Sequence, residues 1–162
     1  MLRLYPARTA EELEHARLLF LEYAGWLGAS LDFQQFDEEV AALPGDYVPP
    51  HGRLLLAEWE GRLAGCVALH AWADGDGVCE MKRLYVRDAH RGHGIGRALA
   101  AWVIDEARAI GYRAMRLDTM GARMPSAVAL YRALGFVEIA PYRYNPMPDT
   151  IYFELALSTR DK

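Results

Sequence analysis

The run Arg91-Gly92-His93-Gly94-Ile95-Gly96 decides the fold. It lies between a mostly apolar segment, Val78 to Val86, and a stretch whose apolar residues Ile95, Ala98, Leu99, Trp102, Val103 and Ile110 fall on one helical face. A strand that passes through a glycine-rich turn into a helix is an α/β unit. Its three glycines let the backbone turn tightly and approach a ligand closely. The free N–H groups at the start of such a helix, together with its dipole, favour an anion. A phosphate or pyrophosphate is the expected ligand. Charge-assisted hydrogen bonds contribute roughly 1.5–3 kcal/mol each, so four or five N–H donors can hold a pyrophosphate without a lysine.

Working outward, Gly111 ends the helix as a left-handed stop. Tyr112 to Thr119 alternates apolar and polar residues and reads as a strand. Pro125 to Leu134 reads as a helix with proline in its first turn and Gly135 after it. Phe136 to Ala140 and Ile151 to Leu157 close the chain as strands. Upstream, Arg53 to Trp59 and Leu63 to Trp72 form a hairpin about Glu60-Gly61, and Asp74 to Gly77 turns into the central strand. A helix is expected from Thr9 to Leu27, with Thr9 and Glu12 as a capping box, and a second from Asp32 to Leu43, stopped by Pro44-Gly45. Pro44 to Gly52 is a loop. The order predicts an α/β sandwich of the α+β kind with a mixed sheet, a single domain over residues 1–162.

Composition agrees with one soluble domain. The 162 residues are 52% hydrophobic and 25% charged, ordinary values for a globular chain. The net charge of −4 argues against a nucleic-acid partner, which would call for a clustered basic excess. Of the 18 basic residues all but Lys82 and Lys162 are arginine, a bias read here as codon usage. Cys66 and Cys79 form no disulfide framework or metal motif, and two lone thiols suit a reducing compartment. Met1 to Ala10 carries Arg3 and Arg8 and no apolar run, so a signal peptide is not expected, and no segment is long enough for a membrane span. A cytoplasmic protein without a membrane partner is expected. His15, His51, His70, His90 and His93 lack ligand-like spacing, and no metal is expected.

Two familiar phosphate loops fail. A P-loop requires Lys and Ser/Thr after its last glycine, where Arg97-Ala98 follow Gly96; a dinucleotide fingerprint requires a third glycine where Arg97 or Leu99 stands. A nucleotide-binding α/β domain is thereby nearly excluded. What matches is Arg-x-x-Gly-x-Gly at Arg91, Gly94 and Gly96. With the strand Met81-Lys82-Arg83-Leu84-Tyr85-Val86 and the segment Leu130-Tyr131-Arg132-Ala133-Leu134-Gly135-Phe136, it resembles the GNAT superfamily of N-acetyltransferases over about Arg53 to Leu157. The resemblance implies a twisted, mostly antiparallel sheet of about six or seven strands flanked by about four helices. It implies acetyl-CoA as co-substrate, with Arg91, Gly92, His93, Gly94, Ile95, Gly96 and Arg97 around its pyrophosphate. Leu84, Tyr85 and Val86 would meet its pantetheine arm through a bulged, splayed strand. Many members have an asparagine seven residues before the tyrosine; here Met124 stands there, with Ser126 as partial compensation.

Acetyl transfer to an amine sets three demands. An alkylamine of pKa near 10.4 is neutral in only about one molecule in 2,500 at pH 7, so a proton must be removed. The thioester oxygen must be stabilised, and the leaving thiolate must be protonated. Glu80, eleven residues before Arg91, occupies the position of the family's glutamate base, and burial in a cleft would raise its pKa. Tyr131 is the expected donor to the thiolate. Its ordinary pKa of about 10 exceeds that of a thiol near 8.5, so it shares a proton rather than surrendering it. No Cys or Ser sits in a nucleophile setting, so direct ternary-complex transfer is expected.

The resemblance places the acceptor between Leu19 to Phe36 and Pro141 to Thr150. Glu22, Tyr23, Trp26 and Asp32 would suit a cation, and Arg143, beside Tyr142, Tyr144 and Asn145, a carboxylate. A small-molecule primary amine, amino-acid-like, is the expected acceptor. A protein lysine or N-terminal acetyltransferase and a non-catalytic acyl-CoA sensing module are the alternatives. Family members often dimerise through their last strands, so a homodimer is carried as the corresponding option.

Overall fold

The computed structural model describes residues 1–27, 35–72 and 76–157. Its core element is the central strand β4 (Val78–Val86), buried along most of its length. On one side lie β3 (Arg62–Ala71), β2 (Arg53–Trp59) and β1 (Leu2–Pro6), on the other β5 (Ala114–Met120), β7 (Thr150–Ala156) and β6 (Val137–Ile139), giving the seven-stranded order β1-β2-β3-β4-β5-β7-β6. Every neighbouring pair is antiparallel except β4 and β5. That pair is parallel because a helix, α3 (Ile95–Ile110), crosses between them.

Alternation along the strands feeds two cores. Cys79 and Met81 of β4, with Met115 and Leu117 of β5, pack under Leu99, Val103 and Ala107 of α3 and Tyr131 of α4 (Pro125–Ala133). The opposite face packs Cys66, Ala68 and Tyr85 against Leu19 and Phe20 of α1 (Ala10–Leu27) and Phe36 and Val40 of α2 (Phe36–Ala42). The expected capping box forms: Glu12 N–H donates to Thr9 Oγ1 at 3.1 Å and Thr9 N–H to Glu12 Oε1 at 3.0 Å. Gly111 takes φ 109° at the end of α3, as expected.

The sheet and its four helices match the expected fold, with three differences. β1 was not expected, since five residues with Leu2 and Leu4 facing one way form too short a pattern to read alone; its pairing with β2 supplies the missing stabilisation. The second helix starts at Phe36 rather than Asp32; residues 28–34, including Asp32, lie outside the described residues. A short 3-10 turn, Asp88–His90, precedes the glycine loop.

Candidate active site

β4 and β5 run together for only three residues: Val78 pairs with Ala114, Cys79 with Met115 and Glu80 with Arg116. Beyond Glu80 they separate. The cause lies on the other edge of β4, where the register with β3 slips between Cys66 and Ala68. Arg83 absorbs the extra residue with φ 61°, a conformation that costs a non-glycine residue energy, and the strand bends away from β5. Arg83 is held there: its guanidinium bonds Glu39 of α2 twice, at 2.9 and 3.0 Å, and its carbonyl accepts from Cys66 Sγ–H at 3.3 Å.

The parted strands leave a narrow slot lined by Lys82, Arg83 and Leu84 on one side and Asp118, Thr119 and Met120 on the other. Tyr131 forms its floor on the α4 side; Tyr23 of α1 and Asn145 and Met147 of the β7-leading loop border it elsewhere. An open groove of about 400 Å³ adjoins it, lined by Leu84, Tyr85, Val86, the glycine loop and the start of α4. Leu84 and Met124 border both, so the two spaces meet at the bend of β4.

In the groove, Gly92 and Gly94 adopt φ 88° and 76°, and a Cβ at either would meet no protein atom within 4 Å. The glycines are therefore needed for the turn, and the space beside them is free. The first intrahelical bond of α3 runs from Ala98 N–H to Gly94 O, which leaves the N–H groups of Ile95, Gly96 and Arg97 ahead of it outside the helical ladder. Arg91 is fixed by donating from Nε to Val86 O at 3.0 Å, and its guanidinium lies 4.9 Å over the ring of Trp26. These features fit an anionic, elongated ligand. Of the residues expected around it, Leu84, Tyr85, Val86, Arg91, Gly92, Gly94, Ile95, Gly96 and Ser126 line the groove. His93 and Arg97 are not among the lining residues: the His93 ring stacks on Trp59 with centroids 4.4 Å apart, and Arg97 is exposed.

Glu80 is fully buried on the face of β4 turned toward α1 and α2. Its Oε1 meets His70 Nε2 at 2.9 Å and accepts from Arg143 Nη2 at 3.4 Å; its Oε2 accepts from Tyr142 O–H at 2.7 Å. Burial alone would raise its pKa, as expected from its sequence position. The His70 hydrogen bond, the charges of Lys82 and Arg143 and the Tyr142 hydrogen bond outweigh it and hold the carboxyl down to about 2. The expected elevation is thereby corrected. Tyr131 is buried, its ring packed edge-on against Phe136 at 5.7 Å, and its hydroxyl has no hydrogen-bond partner among the described residues. Burial first, and the proximity of Tyr23 and Asp118 next, push its pKa far up, so it stays protonated.

The acceptor side differs in detail from expectation. Glu22 is already engaged by Arg87 at 2.9 and 2.7 Å, and Trp26 borders the groove rather than the slot. Tyr142 and Arg143 face Glu80, while Tyr144 is exposed. Asn145 Nδ2 donates to Asp118 Oδ2 at 3.0 Å. Asp118, Lys82 and His70 were not singled out by sequence. Asp118 and Lys82 sit in alternating strands where any polar residue reads as solvent-facing, and only the splay turns them into a cleft.

The profile of the Acetyltransferase (GNAT) family matches residues 13–136, and the chain belongs to that family. An uncharacterized N-acetyltransferase of Schizosaccharomyces pombe is 42% identical over 149 residues, covering 91% of this chain and 90% of that one. An IAA acetyltransferase of Azospirillum brasilense is 38% identical over 109 residues, 67% of this chain and 70% of its own. Among solved structures, a GNAT-family acetyltransferase from Staphylococcus aureus superposes with a TM-score of 0.78 at 18% identity, covering 98% of this chain and all of that one. A putative acetyltransferase from Salmonella typhimurium, solved with its cofactor acetyl-CoA, superposes at 0.73 with 22% identity over 100% of this chain and 97% of its own.

Proposed function

We propose that the protein is an acetyl-CoA-dependent N-acetyltransferase that acetylates the primary amine of a small, amino-acid-like molecule by direct transfer within a ternary complex. The observation that carries this reading is the junction of groove and slot at Leu84: a ligand anchored at the glycine loop and running along β4 presents its far end where Tyr131 and the splayed strands meet. The Salmonella structure, solved with acetyl-CoA, supports the choice of ligand. The free donors at the start of α3 hold the pyrophosphate, Ser126 adds a hydroxyl, and the unpaired edge of β4 bonds the pantetheine arm as a further strand would.

Tyr131 donates its hydrogen bond to the departing sulfur. Its raised pKa forbids full release of the proton, so it stabilises the thiolate while the proton arrives from the attacking amine. Glu80, the base expected from sequence, enters as the anionic end of a network with His70, Tyr142 and Arg143. A carboxylate held near pKa 2 accepts hydrogen bonds from a water relay but does not store a proton. Asp118 faces the amine, and the cations about the slot favour an acceptor that also carries an anionic group. The net charge and the absence, among the described residues, of a helix long and apolar enough to cross a membrane fit a cytoplasmic setting with neither nucleic-acid nor lipid partners.

The test is thiol release from acetyl-CoA with the purified protein and a panel of amino acids, polyamines, aminoglycosides and lysine peptides. Turnover with the amino-acid class supports the reading. Turnover confined to lysine peptides would move the acceptor to protein, and tight acetyl-CoA binding without turnover would favour a sensing module.

A further inference from the structure

Lys82 is the exception in this chain. Sixteen of its 18 basic residues are arginine, and the only other lysine is the terminal Lys162. Arginine does not lose its proton in proteins, whereas lysine does so readily when partly buried among cations. A chain that otherwise uses arginine for positive charge keeps a lysine in the lining of the slot between the splayed strands, next to the ion-paired Arg83. Both direct neighbours of Lys82 in that slot, Arg83 and Asp118, have fixed partners in Glu39 and Asn145. The Lys82 ammonium makes no ion pair or hydrogen bond to the described residues.

The groups facing it come from every element around the slot. Glu80 and Arg83 flank it on β4, Glu39 approaches from α2 and Arg143 from the loop before β7. Asp118 lies across the slot on β5, and Tyr23 of α1 and Tyr131 of α4 also line it. Glu39 and Glu80 are already committed to Arg83 and to the His70–Tyr142–Arg143 cluster, so neither pairs with the lysine. Resting on the acetyltransferase reading, we propose that Lys82 is the proton acceptor for the incoming amine.

Its neutral Nζ takes a proton from the acceptor's ammonium. The freed amine attacks the thioester carbonyl, the C–N bond forms and the C–S bond breaks. The proton shed by the attacking nitrogen ends on the thiolate beside Tyr131, and Lys82 returns its own to solvent, so one proton is released per turnover. Burial first, then Arg83 and Arg143, hold the Lys82 ammonium down to about 8 against the opposing pull of Glu80 and Glu39. That is about 2.4 units below an alkylammonium at 10.4, an uphill but accessible transfer; Glu80 lies several units further away.

Two measurements test this. Competitive trace acetylation with acetic anhydride across pH 6–11, read by mass spectrometry, reports the titration of Lys82 against Lys162 in the intact protein. A Lys82 midpoint near pH 8, well below that of Lys162, is expected; a midpoint at or above pH 10 overturns the proposal. In parallel, Lys82→Arg and Lys82→Met are assayed by thiol release with the best acceptor of the panel. Both lose tenfold or more in kcat, with the KM for acetyl-CoA within twofold, and the rise of kcat/KM near pH 8 disappears. Full activity in Lys82→Arg, which keeps charge but cannot accept a proton, overturns the role while leaving the acetyltransferase reading intact. If the unaltered protein turns over no amine, that reading fails and the role fails with it.

Discussion

Tyr142 donates its phenolic hydrogen to Glu80 at 2.7 Å, joining the loop before the last strand to the middle of the central strand. The same loop sends Arg143 to the other carboxylate oxygen, and Asn145 to Asp118. Glu80 thus fastens the segment that closes the slot. Its first structural consequence is stability: a folded-state pKa of about 2 against an ordinary 4.5 is a contribution present above pH 4.5 and lost as pH falls from 4.5 toward 2.

Glu80→Gln should therefore unfold earlier. The shift corresponds to about 3 kcal/mol at neutral pH, an upper figure because the amide retains some hydrogen bonds. Thermal denaturation from pH 7 to pH 3 checks it: the gap between the two proteins should narrow as acid removes the wild-type advantage. A constant gap would mean that the carboxylate's charge is not what holds the loop.

Lys82 has the opposite sign. A lysine lowered to about 8 from 10.5 costs stability while it is charged in the fold, and the cost fades as pH rises from 8 to 10.5. Lys82→Met should raise Tm by a few degrees at pH 7, with a smaller gain at pH 10. Differential scanning calorimetry at both pH values decides whether the slot is as costly to the ammonium as its surroundings imply.

Gly94→Ala addresses the groove. A Cβ there meets nothing, so the change is one of backbone conformation at φ 76°, costing roughly 1–2 kcal/mol, and of lost room beside the free N–H groups. Acetyl-CoA affinity by calorimetric titration should fall tenfold or more, while the pH dependence of turnover stays as it was.

Tyr131→Phe removes one hydroxyl that no protein group engages among the described residues, so folding should be little affected. Turnover should fall at least tenfold with acetyl-CoA affinity within twofold. Unchanged turnover would leave Tyr131 as a packing residue against Phe136 and Phe153.

Much of this was legible before the fold. The glycine loop, the α3 face and the Tyr131 segment carry strong local signals, because left-handed turns need glycine and helices declare their period. The groove followed from them, apart from Arg97, which is exposed, and His93, whose stacking on Trp59 is a tertiary contact between distant segments. The resemblance implied a bulged, splayed central strand, but not the slot's lining. The bulge falls at Arg83, in a left-handed conformation that no residue pattern announces, and Lys82 and Asp118 gain their setting only when that bend parts the strands. The electrostatics of Glu80 were unreadable for the same reason: burial was foreseeable, but His70, Tyr142 and Arg143 reach it only through the sheet register and the loop.

In the proposed reaction an acetyl group passes from the groove to an amine in the slot without resting on the protein. Initial rates with acetyl-CoA and the acceptor both varied test it most directly, with the product analysed by mass spectrometry. Direct transfer gives intersecting double-reciprocal lines, one acetyl group on the amine nitrogen and none accumulating on the protein. Parallel lines with an acetylated protein intermediate, or acetyl-CoA bound with no amine ever modified, would contradict it.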